Sequence, residues 1–339
     1  MSFPSIHSDG DPILRIEGLR TAYHDRSVVT KAVDGVSLEL RRGEVLGIVG
    51  ESGCGKSTLG LSILNLIPHP GYIDEGAVYF NGRNVLEMSG SEMRDLRGRD
   101  ISMIFQDPVA GLNPTLSIGE QVQEIITAHT GAGKREAHTL ALELLSSMGL
   151  ADPERIAIRY PFQLSGGMAQ RVMIATAMAL KPAILIADEP TSALDMTVQA
   201  QILEELRRLR NQGVSILLIT HDFGVIAQMA DRVAVMYAGR IAEEGETDDI
   251  FARPQHPYTA ALLASLPRLH YDVETLHQVQ GRPPDMSKLP AQCAFVPRCT
   301  KVRSDCRVLD SPALEEVEPR HWVACYNPVY HPDPDDEED

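Results

Sequence analysis

The run Gly50-Glu51-Ser52-Gly53-Cys54-Gly55-Lys56-Ser57 fits the pattern Gly-x4-Gly-Lys-[Ser/Thr] and lies between a strand-like run and a helical one. Glycines at these positions let successive backbone N–H groups turn inward around phosphate oxygens, and the following helix aims its positive end at them. Lys56 is placed to neutralise β- and γ-phosphates, Ser57 to ligate Mg²⁺, and Thr58 to reach an α-phosphate. Cys54 occupies a variable position of this loop, so its thiol is read as incidental. Residues 183–189 end an apolar strand in two carboxylates, at the sheet edge where ligands of parallel sheets bind. Asp188 suits the Mg²⁺ shell. Glu189 is left to orient or deprotonate an attacking water, the proton-transfer step that phosphoanhydride hydrolysis requires. His221 follows a second apolar run, residues 215–220, and is expected at the same edge, holding the γ-phosphate and the water.

The cysteines form a second constellation. Four of the five, Cys293, Cys299, Cys306 and Cys325, follow the spacing Cys-x5-Cys-x6-Cys-x18-Cys. Residues 1–11 show no basic stretch followed by an apolar one, which predicts no secretory leader and a cytosolic chain. An odd cysteine count in such a chain argues against a disulfide framework and for metal ligation. Four thiolates suit iron–sulfur or zinc. Structural zinc favours tight Cys-x2-Cys pairs, which are absent, so iron–sulfur ranks first, zinc second, and four buried reduced thiols third.

The elements that must position these groups alternate between β and α. Residues 13–19 and 36–40 read as strands separated by a polar loop, followed by a turn at Arg42-Gly43 and a strand over 45–49. Helical spacing runs over 59–66, and Asn81-Gly82 and Ala238-Gly239 are hairpin signals. Residues 119–180 read as mostly helical, broken at Gly131 to Gly133 and again at Pro161, which suggests a helical insertion. Continuous apolar runs at 184–187 and 214–219 fit buried parallel strands, with an amphipathic helix over 197–210 between them. Beyond Phe251 the composition turns to Pro, His and Cys, marking a C-terminal module.

Length and charge narrow the classes. The 339 residues suffice for about two domains. A net charge of −16 argues against a nucleic-acid coat or an anionic-lipid surface. Residues 333–339 carry six of the acidic groups and read as a solvated tail. No apolar run approaches the roughly 18 to 20 residues of a membrane helix, so membrane contact must pass through a partner.

Taken together, these residues resemble the nucleotide-binding subunit of an ABC transporter over most of residues 13–330. Leu164-Ser165-Gly166-Gly167-Met168 resembles the ABC signature, Gln106 the Q-loop, Ser192-Ala193-Leu194-Asp195 the D-loop and His221 the switch histidine. Tyr23 stands where the family stacks a ring on adenine. The resemblance implies an α/β P-loop NTPase fold of ABC type, with a RecA-like core, an antiparallel β-subdomain and a helical subdomain at about 107–180. It implies ATP contacts at Tyr23, Gly50, Ser52, Gly53, Cys54, Gly55, Lys56, Ser57 and Thr58, and Mg²⁺ contacts at Ser57, Gln106 and Asp188. Glu189, His221 and Gln106 become the catalytic set. Ser165, Gly166, Gly167 and Met168, with Asp195, would serve the ATP of a second subunit. Met168 departs from the commoner glutamine.

His256-Pro257-Tyr258-Thr259 and the block around Cys293 to Cys299 resemble the oligopeptide/dipeptide importers, whose C-terminal cysteine module is associated with a [4Fe–4S] cluster. Ala291-Gln292 stands where a glycine is usual. The expected division is an ATPase domain over 12–255, the cysteine module over 256–330 and an acidic, disordered tail over 331–339. The resemblance implies an assembly that pairs this chain with a second ATPase subunit, expected to be a different chain, two permeases and an extracytoplasmic peptide-binding protein, on the cytoplasmic face of a bacterial membrane, without nucleic acid. Nickel, metal-chelate, glutathione or sugar import by the same motor is the alternative, and a soluble non-transport ABC ATPase the more remote one.

Overall fold

A computed structural model describes residues 11–25, 28–192, 194–266 and 279–329. The expected acidic tail and residues 1–10 lie outside the described residues.

In chain order, strands β1 (Leu14–Asp25) and β2 (Val28–Leu40) precede β3 (Val45–Val49), whose five residues are all buried. Helix α1 (Lys56–Ile63) begins on the lysine of the glycine-rich loop, three residues earlier than its apolar spacing predicts. Strands β4 (Gly71–Phe80) and β5 (Arg83–Asn84) are joined by the predicted Asn81-Gly82 turn, with both residues at positive φ. The short helix α2 (Gly90–Leu96), closed by a Ser89/Glu92 capping box, precedes β6 (Ile101–Ile104). The predicted helical insertion is four helices: α3 (Ile118–Thr130), α4 (Lys134–Ser147), α5 (Pro153–Ala157) and α6 (Gly166–Ala177). Gly131, at φ 70, ends α3 where the break was expected. Val122, Ile126, Ala137 and Ala141 form the small apolar core between α3 and α4.

The β/α pattern then resumes with β7 (Ile184–Asp188), α7 (Met196–Asn211), β8 (Ser215–Thr220), α8 (Phe223–Met229), β9 (Arg232–Tyr237) and β10 (Arg240–Glu246). Every residue of β7, β8 and β9 is buried, as continuous apolar runs require. Helices α9 (Thr247–Ala252), α10 (Pro257–Ala264) and α11 (Asp305–Val308) and strands β11 (Glu315–Glu318) and β12 (His321–Val323) complete the chain.

The polar loop expected after Leu19 is instead strand. Thr21 and Ala22 are buried, and the Thr21 hydroxyl meets the Ser62 hydroxyl at 2.8 Å, so a polar stretch satisfies its buried side chain and stays extended. Strands β2, β1, β4 and β5 form one sheet in that order.

Two compact units are present. One holds Met1–Arg15, Glu39–Val45 and Val78–Ile219. In it β6, β7 and β8 run parallel, with Ile104 opposite Ala187 and Asp188 opposite Ile219. The other holds Ile16–Leu38, Leu46–Ala77 and Thr220–Asp339. Here β3 runs parallel to β9, and β9, β10, β12 and β11 pair antiparallel in succession. The cysteine-bearing segment therefore returns to pair β12 with β10, a contact no periodicity in its short strands announces. No helix among the described residues is long and apolar enough to cross a membrane.

Candidate nucleotide site and cysteine pocket

The glycine-rich loop connects β3 to α1. Glycine is required at two of its positions by contact: a Cβ on Gly50 would stand 2.2 Å from the Met236 carbonyl oxygen, and one on Gly55 would stand 2.0 Å from that of Ala32. Gly55 also sits at φ 108, a conformation open to glycine. It provides no side-chain cap, and α1 has no acidic residue in its first turn, so the helix start suits an anion. Lys56 is buried, and its Nζ donates to the carbonyls of Gly50 (2.7 Å) and Glu51 (3.0 Å). Burial pushes the Cys54 thiol up, against the pull of Lys56, so it stays a neutral space-filler. The Tyr23 hydroxyl lies 3.5 Å from Thr58 Oγ1, and its ring packs so closely on Gly71 that a Cβ there would stand 2.6 Å away. His221 is exposed directly after β8, and Asp222 caps α8 by accepting the Gly224 N–H at 2.7 Å.

In the other unit, Asp188 ends β7 and Glu189 follows it, both buried. Glu189 has φ 49, the left-handed region that costs a non-glycine residue roughly 1–2 kcal/mol. Its N–H donates to the Ile219 carbonyl (2.8 Å) and its carbonyl accepts from Ser192 (3.1 Å), which hold the turn in this conformation. Because Ile104 is opposite Ala187 in parallel register, Gln106 leaves the sheet at the same carboxyl edge as Asp188 and Glu189, and it is exposed there.

The same unit brings the signature and Asp195 together. Ser165 caps α6, accepting the Met168 N–H at 3.4 Å, and Asp195 caps α7, accepting the Val198 N–H at 2.9 Å. Ser165, Gly166, Gly167, Met168, Arg171 and Asp195 all line one open cavity. A Cβ on Gly167 would stand 2.8 Å from Val198 Cγ1, so α7 can approach only a glycine. Arg171 was not singled out in the sequence. It bonds the Met148 carbonyl (2.9 Å) and the Gln201 side chain, bracing the cradle's rim. Ala193 of the D-loop lies outside the described residues.

All four C-terminal cysteines line a single pocket, and none is in a disulfide. Cys299 Sγ accepts the Lys301 N–H at 3.3 Å, and Cys325 Sγ accepts the Asn327 N–H at 3.4 Å. Burial, reinforced by neighbouring cysteines, pushes the Cys293 and Cys299 thiols up and that of Cys325 to about 11. Among the described residues no group of three or more His, Cys, Asp or Glu is arranged to hold a metal ion. His256 lines the same pocket. It is buried and held down to about 4 by desolvation, only partly opposed by Glu243, so it is neutral at pH 7. Its Nδ1 caps α10 by accepting the Tyr258 N–H at 3.0 Å. The fully buried Glu243 accepts the N–H groups of Gln255 and His256 and pairs with His321 Nε2 at 2.7 Å, tying both ends of the C-terminal segment to β10.

A glycine-rich loop opening a helix on a parallel strand, and a carboxylate pair closing another, define a P-loop nucleotide-hydrolysing domain. Two family models match the chain: ABC transporter over residues 33–192, and oligopeptide/dipeptide transporter, C-terminal region, over 242–306. The chain is 48% identical over 291 residues to a dipeptide transport ATP-binding protein of Bacillus subtilis, covering 85% of this chain and 87% of that protein. It is 44% identical over 325 residues to an oligopeptide transport ATP-binding protein of the same organism, covering 95% and 90%. Among solved structures, an ATP-binding cassette captured as a dimer in a post-hydrolysis state with ADP and phosphate matches with TM-score 0.63 and 31% identity, over 69% of this chain and 98% of that one. An ABC transporter subunit from Clostridium perfringens matches with TM-score 0.60 and 28% identity, over 72% and 92%. The chain belongs to the ATP-binding subunits of the oligopeptide/dipeptide ABC transporter family.

Proposed function

We propose that this chain hydrolyses ATP to drive import of dipeptides or oligopeptides through a membrane permease. The observation that carries the reading is the presence, in one chain of this family, of a P-loop and a separate signature cradle in which Ser165 and Asp195 line one open cavity. Relatives named for dipeptides and oligopeptides favour peptide cargo over nickel, metal chelates, glutathione or sugars, and over a soluble non-transport role.

The roles follow from placement. Backbone N–H groups from Ser52 to Thr58 wrap the phosphates, Lys56 leaves its loop carbonyls for the β- and γ-phosphates, and Tyr23 packs on the base. Ser57, Asp188 and Gln106 are the residues that would offer hard oxygen donors to Mg²⁺, and the ion would neutralise developing phosphate charge. Glu189, pinned by its backbone bonds, orients and deprotonates the water, and His221 holds the γ-phosphate. Ser165, Gly166, Gly167 and Met168 receive the γ-phosphate of a second ATPase subunit, with Asp195 beside them. The assembly comprises that second, different ATPase chain, two permeases and an extracytoplasmic peptide-binding protein, without nucleic acid. This chain sits on the cytoplasmic membrane face as a peripheral subunit. The ATPase domain spans 12–255, with its helical subdomain at about 107–180, and the cysteine module spans 256–330.

For the cysteine pocket a [4Fe–4S] cluster ranks above zinc because four free thiols line it; burial favours their neutral form and among the described residues they are not drawn together around a metal ion, so binding requires both deprotonation and rearrangement. Bound there, the group would cross-link a segment whose described helices and strands are short. Anaerobic purification with iron, sulfide and zinc analysis tests it. About four irons per chain supports the reading, and stoichiometric zinc or no metal overturns it. For the function itself, ATP turnover by the assembled transporter is expected to rise with a peptide-loaded binding protein, and a rise with nickel or sugar instead would overturn peptide cargo.

A further inference from the structure

Glu51, the first variable residue of the phosphate loop, places a carboxylate on the segment that receives a polyanion. It lies within one unit with two groups from the C-terminal half of the chain that bond it, Tyr258 and Arg298. Its N–H donates to the hydroxyl of the buried Tyr258 (2.9 Å). Its carboxylate takes a two-pronged bond from Arg298: Nη1 to Oε2 at 2.6 Å and Nη2 to Oε1 at 2.9 Å. Arg298 itself is 4% exposed and Glu51 23%. The remaining guanidinium donors are spent on the Gln280 and Val279 carbonyls and the Tyr237 hydroxyl, with the Tyr237 and Phe295 rings alongside. Arg298 ends the tight turn Val296–Arg298, between Cys293 and Cys299.

We propose that Arg298 is a positioning residue for nucleotide binding: the cysteine-bearing turn supplies the counter-charge that cancels Glu51 and fixes the phosphate loop. The proposal rests on the ATP reading above. A buried guanidinium is stable only when paired, and an uncancelled carboxylate beside the phosphates repels them. The pair thus joins the cysteine turn to the nucleotide loop in one electrostatic unit. Neither Tyr258 nor Arg298 touches the reacting atoms.

The test is equilibrium titration of a fluorescent ADP analogue against the full chain. Arg298→Ala is expected to weaken binding about five- to tenfold, the effect of one uncancelled charge at intermediate dielectric, and to raise KM with kcat little changed. Adding Glu51→Gln to Arg298→Ala removes the charge and restores affinity to within about threefold, whereas a merely structural role predicts no rescue. Arg298→Lys keeps the charge and is expected to bind near the wild-type level. Wild-type affinity in Arg298→Ala, or failure of Glu51→Gln to rescue it, overturns the proposal. Lys56→Ala separates the two readings: if it leaves binding intact, the nucleotide site itself is misplaced; if it abolishes binding while Arg298→Ala does not alter it, only the positioning role falls. Circular dichroism and melting of each variant establish that the folds compared are intact.

Discussion

Gly167→Ala isolates the signature cradle from every other part of the molecule. The added Cβ would stand 2.8 Å from Val198 Cγ1 and 3.5 Å from Cγ2, with the next atom, Val198 Cβ, at 3.8 Å. Overpacking of this kind costs about 1–3 kcal/mol. Alanine recovers part of that because it is up to about 1 kcal/mol better than glycine inside a helix. The net loss of stability, about 0–3 kcal/mol, leaves the chain folded. The strain is relieved instead by moving α6 relative to α7, and a displacement approaching 1 Å at a catalytic donor costs about a hundredfold in rate. ATP turnover of the assembled transporter, measured by phosphate release, should therefore fall about a hundredfold, while binding of nucleotide to this chain's own loop is unchanged. Val198→Ala deletes both Cγ atoms, leaves the 3.8 Å contact as the closest, and should restore most of the turnover in the double variant. Full activity in Gly167→Ala, or no rescue by Val198→Ala, would refute the packing argument.

Other predictions follow from the same geometry. Glu189→Gln should bind ATP with near wild-type affinity while turnover drops by at least about a hundredfold; near-normal turnover would mean another group handles the water. Gly55→Ala should abolish nucleotide binding, because its Cβ meets the Ala32 carbonyl at 2.0 Å in a left-handed conformation; retained binding in a titration would contradict the loop geometry. His256 is neutral when folded, with its pKa down at about 4, so its contribution is complete above pH 6.5 and drains away as pH falls from 6.5 toward 4. Chemical denaturation should show about 2 kcal/mol of loss by pH 5 that is missing in His256→Asn, which keeps the helix cap.

How far the sequence revealed this arrangement depended on the range of the interactions. The phosphate loop and the strand ending in Asp188 were legible because glycine spacing and a continuous apolar run are local signals with one physical reading each. Ser165 and Asp195 were legible as motifs, and their caps on α6 and α7 explain why these residue types stand there. The left-handed turn at Glu189 was not, since a carboxylate at φ 49 is set by hydrogen bonds from β8 and the following turn. Arg298 was hidden for the same reason: its partner lies 247 residues away, and no local pattern distinguishes it from the other arginines. The strand after Leu19 reads as a loop in the sequence because its polar residues find partners only in the folded chain. Strand β12, three residues long, carries too little periodicity to be called, yet it pairs with β10.

The central claim is tested most directly on the transporter purified from its source membranes through a tag on this chain and reconstituted in vesicles. The account predicts ATP hydrolysis stimulated by a peptide-loaded binding protein, coupled to peptide uptake, with both lost in Glu189→Gln. Turnover indifferent to peptide, or uptake that persists in Glu189→Gln, would contradict it.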